Sequence, residues 1–116
     1  MHEILISIGS NSVQSAHVQW ASERLSVLLH DIRFSRCLWT PDIKGSGHWY
    51  MNRLASGYTA LTAEEINEKM KQAEAETGRS KERVTIDLDL LQYDDKRYHL
   101  KDWSRPYVTE LMEKWE

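Results

Sequence analysis

Apolar and polar positions alternate at the start of the chain. Ile4, Ile6 and Ile8 alternate with Leu5 and Ser7, which predicts a short buried strand ending at Gly9-Ser10-Asn11. The period then lengthens. From Val13, apolar residues recur at Ala16, Trp20, Val27 and Leu28, with Ala21 and Leu25 beside them. This spacing predicts a first helix over residues 12–30, for which Ser10, Asn11 and Ser12 are all good N-caps. Residues 32–39 are rich in β-formers and predict a second strand. Pro41, Gly45 and Gly47 mark residues 40–49 as a mobile loop. Residues 50–59 form a third strand, with Tyr50, Asn52, Leu54 and Tyr58 on one face.

Thr62-Ala63-Glu64-Glu65 reads as a capping box, in which Thr62 and Glu65 each satisfy an orphan backbone donor. The helix that follows runs to Thr77, with Ala63, Ile66, Met70 and Ala73 inward and Gly78 as C-cap. Residues 84–93 predict a fourth strand, and Pro106 precedes a short helix over 107–115. The order β-α-β-β-α-β predicts an α+β, ferredoxin-like fold. It would have a four-stranded antiparallel sheet, two helices on one face and a short C-terminal helix.

With 116 residues and 41% apolar positions, the chain is expected to fold as one domain over residues 1–116, without disulfide support. Cys37 is its one cysteine and reads as a small buried hydrophobe in a strand rather than a nucleophile. A net charge of −3 argues against a nucleic-acid binder, which carries a basic face. No apolar run is long enough to span a bilayer, and no signal-peptide pattern opens the chain. A cytoplasmic monomer with neither a nucleic-acid nor a membrane partner is expected.

The strand Val84-Thr85-Ile86-Asp87-Leu88-Asp89-Leu90 carries the strongest chemistry. Alternation turns Val84, Ile86, Leu88 and Leu90 to the core, and Asp87 with Asp89 to the other face, roughly 6.5–7 Å apart. Two carboxylates on one face repel unless a cation neutralises them, and Mg²⁺ bridges such groups to substrate phosphates. A solvated outer face is the competing reading. Arg79, Lys81, Arg83, Lys96, Arg97 and Arg105 can clamp a polyphosphate or line charged loops. Gly9-Ser10-Asn11 precedes a helix N-terminus, where an anion can bind, but no Walker-type loop is present. Scattered histidines without a cysteine partner argue against zinc. Trp39 and Trp49 flank the glycine-containing loop and can either sandwich a planar ring or cover its rim.

Taken in order, these segments resemble the 6-hydroxymethyl-7,8-dihydropterin pyrophosphokinase family. The resemblance runs from about Ile4 to about Leu111. It comprises Ile6 to Asn11, Thr40-Pro41 followed by Tyr50-Met51-Asn52, Leu61 to Glu65 through Glu74 and Gly78-Arg79, and His99 with Arg105 six residues later. Thr85-Ile86-Asp87-Leu88-Asp89 is its most specific motif. The resemblance implies diphosphate transfer from ATP to the hydroxymethyl group of the dihydropterin, releasing AMP, in folate biosynthesis. It implies that Asp87 and Asp89 hold two Mg²⁺ ions. It places Thr40, Pro41, Tyr50, Asn52 and Tyr107 around the pterin, with Asn52 reading its polar edge and Tyr107 stacking on it. Glu74, Arg79, His99 and Arg105 would face ATP, with Arg79 and Arg105 joining the two aspartates in catalysis.

The chain also departs from the family pattern. Only Ser80-Lys81-Glu82-Arg83-Val84 joins Arg79 to the Thr85 strand. The family's longer loop, its Trp and its Arg before the Thr are missing, and Arg83 would start on the other strand face. Tyr98 and Leu100 flank His99 where the family has a V-P-H-Y run. A short lid predicts weak or altered turnover. A catalytically impaired pterin- or nucleotide-binding module is therefore the alternative, and a plain interaction domain a third.

Overall fold

The computed structural model describes residues 1–113 and 115. In chain order the elements are β1 (His2–Ser10), α1 (Gln14–Leu28), β2 (His30–Phe34), β3 (Leu38–Pro41) and β4 (Trp49–Thr59). They continue with α2 (Ala63–Glu76), β5 (Asp87–Tyr93), β6 (Lys96–Arg97), α3 (Leu100–Trp103) and α4 (Pro106–Glu113). The strands make one antiparallel sheet in the order β2-β4-β1-β5-β6, with β3 also paired to β4.

Helices on an antiparallel sheet match the expectation, but the sheet has six strands rather than four. Ser35 causes the first difference. Its amide donates to the Leu54 carbonyl at 2.9 Å, its hydroxyl accepts from the Leu54 amide at 2.8 Å, and its carbonyl accepts from Arg53 Nε at 2.8 Å. A side-chain oxygen thus replaces a backbone acceptor, and the expected single strand divides into β2 and β3. Cys37, in the gap between them, is exposed rather than buried. At the other edge Asp94 turns in the left-handed region (φ 51°), and β6 folds back on β5.

The first helix is shorter than its periodicity suggests. Its buried side chains are Val18, Ala21, Ser22 and Leu25, whereas Val27 is 88% exposed. None of the three expected caps is used. The N-cap is Val13, at φ 45° without a side-chain cap bond, a strained conformation for a β-branched residue. Asn11 is engaged elsewhere, because its Oδ1 accepts from the Val84 backbone amide at 2.8 Å and its own backbone N–H donates to the Val84 carbonyl at 2.9 Å. The α2 capping box forms as expected: Glu65 N donates to Thr62 Oγ1 at 3.1 Å and Thr62 N to Glu65 Oε1 at 2.9 Å.

Two apolar layers flank the sheet. Ile4, Ile6, Ile8, Leu88 and Leu90 pack with Val18 and Leu25 of α1 and Ile66 and Met70 of α2. Leu5, Leu54 and Leu91 pack with Val108 and Leu111 of α4 on the opposite face. The expected tail helix begins one residue early, at Pro106, a favoured first helical position; Lys114, in its expected last turn, lies outside the described residues. The α3 turn was not expected. Trp103 Nε1 pins it to the carbonyls of Tyr98 (3.1 Å) and Leu91 (3.2 Å). Among the described residues no helix is long and apolar enough to cross a membrane.

Candidate active site

The α4 face of the sheet leaves a cavity of about 390 Å³ beyond the Leu5–Leu54 layer. Strand alternation supplies its polar wall: Asp87 and Asp89 from β5, Tyr50 and Asn52 from β4, and Thr40 and Pro41 from β3. Asp102, Arg105 and Tyr107 close the opposite side. A second cavity, of about 830 Å³, includes Glu74, Arg79, Lys81, His48 and Asn11 in its lining. Asp42, Lys44, Tyr50 and Asp87 border both.

All five residues expected around a pterin therefore share the first cavity. Of the four expected to face ATP, Arg105 lies in the first cavity, and Glu74 and Arg79 line the second. His99 lines neither; its Nε2 stands 3.7 Å from Asp89 Oδ1. Lys81 lines the second cavity, but Arg83 turns away, with its Nε donating to Ser12 Oγ at 3.0 Å. Lys96 and Arg97 lie over the rings of Tyr98 and Trp103. Trp39 and Trp49 are 49% and 54% exposed and border neither cavity.

Hydrogen bonds orient the cavity side chains. Asn52 Nδ2 donates to Thr40 Oγ1 at 2.7 Å and to the Leu38 carbonyl at 3.3 Å. Its Oδ1 faces the floor at Gly9, where an added Cβ would lie 3.6 Å from that oxygen, 3.7 Å from Tyr50 and 4.0 Å from Asp87. Gly9 thus leaves room for no more than a methyl group in ordinary contact with its neighbours. The Tyr50 hydroxyl accepts from Asn11 Nδ2 at 3.4 Å. Burial, then the charges of Asp42 and Asp87, push the Tyr50 pKa up.

Charge is unevenly compensated. Arg79 Nη1 lies 2.8 Å from Glu74 Oε2 and 3.0 Å from Asp87 Oδ1. Burial opposes this guanidinium charge, but the carboxylates outweigh it and hold its pKa above the ordinary value. Glu74 also accepts from the Leu88 amide at 2.8 Å, so it braces β5 against α2. Among the described residues Asp89 has no guanidinium partner, only the imidazole of His99 at 3.7 Å. Burial and then the Asp87 charge raise its pKa to about 6, which His99 only partly offsets. Tyr107 is pushed up to about 12 by burial, with Asp102 and Asp89 adding to the effect.

This donor set fits a divalent cation held jointly with a phosphate. Asp87 and Asp89 supply hard oxygen ligands, and Arg79 offsets the charge of Asp87 only. Among the described residues no group of three or more His, Cys, Asp or Glu side chains is gathered for a metal. Mg²⁺ is bound in this way, by one or two carboxylates together with substrate phosphates.

Gly9 and Asn11, from the turn where an anion can bind, line the first and the second cavity respectively, whereas Asp42, Lys44 and Asp102 carry no sequence signal of a substrate site. Asp42 and Lys44 sit in a loop whose composition signals only a turn. For Asp102 one local signal of ion pairing exists, an acidic residue three positions before Arg105 in a helical segment.

The profile of the 7,8-dihydro-6-hydroxymethylpterin-pyrophosphokinase (HPPK) family matches residues 5–114. No curated protein matches the chain.

Proposed function

This chain belongs to the HPPK family, and we propose that, as a single domain, it transfers diphosphate from ATP to 6-hydroxymethyl-7,8-dihydropterin, releasing AMP. The fold is read as a ferredoxin-like β-α-β-β-α-β frame with β3 and β6 as short additions. The order β2-β4-β1-β5 within the sheet supports that reading.

One observation carries the proposal: the acidic pair opens into the same cavity as the five residues suited to a flat heterocycle. The pterin ring stacks on Tyr107, and Asn52, fixed through its Nδ2, presents its Oδ1 to the ring's N–H edge. Thr40 and Pro41 form the rim. Asp87 and Asp89 hold Mg²⁺, which supplies charge neutralisation for the transferring phosphates. ATP lies against Glu74, Arg79, His99 and Arg105. Arg105, in the pterin cavity, offers donors to the charge that develops during transfer. Such transfer depends on positioning and charge rather than on a covalent protein nucleophile.

The experiment incubates the purified chain with MgATP and 6-hydroxymethyl-7,8-dihydropterin and follows AMP. An Asp87→Ala, Asp89→Ala variant purified in parallel guards against a contaminating enzyme. Pterin-dependent AMP from the parent alone supports the reading, and no AMP from a folded parent overturns it.

A second reading rests on the segment after α2. Residues 80–83 close on themselves, Ser80 N donating to the Arg83 carbonyl and Arg83 N to Ser80 Oγ, while Arg83 is tied to Ser12. This short segment brings no arginine or tryptophan over the cavity. A binding module without turnover would give saturable pterin binding and no AMP.

A further inference from the structure

We infer that Asp102 is a positioning residue, which fixes the Arg105 guanidinium by its Nε edge so that both Nη groups face the first cavity as a fork for a phosphate group. The inference rests on the proposed diphosphate transfer and deepens it, since it names what holds the cavity's one arginine.

Asp102 Oδ1 accepts from Arg105 Nε at 2.6 Å, and both side chains are largely buried, at 22% and 30% exposure. The backbone tightens the same turn, with the Arg105 amide donating to the Asp102 carbonyl at 3.0 Å. The turn is itself anchored, because Trp103, between the two residues, is pinned through its Nε1 to Tyr98 and Leu91. Among the described residues no hydrogen bond engages either Nη of Arg105. A guanidinium has five donors in a planar fork. With Nε committed to Asp102, the end-on edge formed by the two Nη groups is left to match two oxygens of a phosphate.

The other arginines do not serve this cavity. Arg79 is committed to Glu74 and Asp87, and Arg83 to Ser12. Arg105 is the arginine in the first cavity's lining, where Asp87, Asp89 and Asp102 are all acidic. A freely rotating Arg105 could fold onto Asp87 or Asp89 and occupy the cation's place. Asp102 prevents this by supplying a nearer partner on the opposite wall.

Coulomb's law and positioning predict opposite outcomes, which makes the inference testable. Asp102 is a negative charge in a cavity proposed to receive polyphosphate, so on charge alone its removal tightens anion binding. If Asp102 acts by orienting Arg105, its removal weakens binding despite the relieved repulsion. The experiment titrates inorganic diphosphate with excess Mg²⁺ into the parent, Asp102→Ala, Asp102→Asn, Arg105→Ala and the Asp102→Ala, Arg105→Ala double variant, by calorimetry, with thermal melts to confirm folding. Expected are about tenfold weaker binding for Asp102→Ala, parent-like or tighter binding for Asp102→Asn, whose amide oxygen still accepts from Nε, and no further loss in the double variant beyond Arg105→Ala.

In the AMP assay, Asp102→Ala should lower kcat about tenfold or more with little change in KM for the pterin, as misplacement of a charge-stabilising group does. Tighter or unchanged binding by Asp102→Ala, an undiminished effect in the Arg105→Ala background, or no diphosphate binding by the folded parent overturns the inference. A parent that binds diphosphate but forms no AMP overturns the proposed activity alone, and the binding series still decides the role of Asp102.

Discussion

The guanidinium of Arg79 stands 3.0 Å from one oxygen of the Asp87 carboxylate and offsets part of the charge of the acidic pair. The same nitrogen reaches Glu74 at 2.8 Å, so one arginine joins the end of α2 to the start of β5. Arg79→Ala leaves Glu74, Asp87 and Asp89 without that charge. Because the arginine is about one-third exposed, water screens part of the interaction, and the expected loss of stability is about 1 kcal/mol. Melting at neutral pH and low salt measures it. The deficit should shrink on adding Mg²⁺, which replaces the missing charge, and an unchanged melting temperature would show that the contact is only incidental.

Asp89 predicts a pH dependence of known sign. Its pKa is raised to about 6, by burial first and then by Asp87, so the fold favours the neutral acid. That contribution to stability is fully present below the unfolded value of about 4 and is lost as pH rises through about 6. Asp89→Asn imitates the neutral acid. In chelator at pH 7.5 it should exceed the parent in stability by on the order of 1–3 kcal/mol, and at pH 4 the two should converge. Mg²⁺ should then raise the parent's melting temperature more than the variant's, because a ligand of the folded state stabilises by mass action. Melts across pH 4–8, with chelator or Mg²⁺, test both halves; a parent–variant gap that does not vary with pH would remove Asp89 as the origin.

Gly9 separates stability from binding. It lies within β1 with room for a Cβ at ordinary contact distances from Asn52, Tyr50 and Asp87. Gly9→Ala should hold or slightly raise stability, since alanine loses less backbone entropy on folding, up to about 1 kcal/mol. The added methyl occupies the floor beneath the proposed ring, so dihydropterin affinity should fall about tenfold, within the range one methylene commands in a fitted pocket. Calorimetric titration beside thermal melts checks the opposite signs. A fall in both would point to a distorted strand instead.

What the sequence made legible was local. Thr62 and Glu65 form their capping box because both partners lie within one helical turn, and Asp87 and Asp89 share a face because β5 alternates. Features set by distant partners were not legible. Ser35 divides β2 from β3 through bonds to Leu54 and Arg53 on another strand. Asn11 forgoes helix capping for Val84, distant in sequence. Val13 accepts a left-handed backbone that its side chain disfavours. The β1–β5 register shifts at Leu5 and Ile6, leaving Leu91 as an extra residue that sets Tyr93 against the helix-covered layer with Leu88 and Leu90. The candidate site was readable where one motif supplied it. It was unreadable at Asp102, Lys44 and Asp42, which reach the cavities through tertiary packing of segments with no motif of their own.

Helix α4 carries Tyr107 into the first cavity while its buried anchor, Leu111, borders neither cavity. Leu111→Ala therefore acts on ligand binding only through docking of the helix. It should cost about 2–4 kcal/mol, the usual range for deleting a fully buried leucine side chain. Leu25→Ala, equally buried but on the α1 side of the sheet, is the matched control with a similar global cost. Hydrogen exchange distinguishes them, because a short terminal helix can open without the sheet. In Leu111→Ala, amides of 106–113 should exchange faster than those of β1 and β4, and dihydropterin affinity should fall severalfold at temperatures where the sheet remains folded. In Leu25→Ala, the α4 amides and the affinity should follow global stability alone. Equal exchange patterns in the two variants would mean that α4 and the sheet open as one unit, and that Tyr107 owes its place to the whole fold rather than to this helix's own contacts.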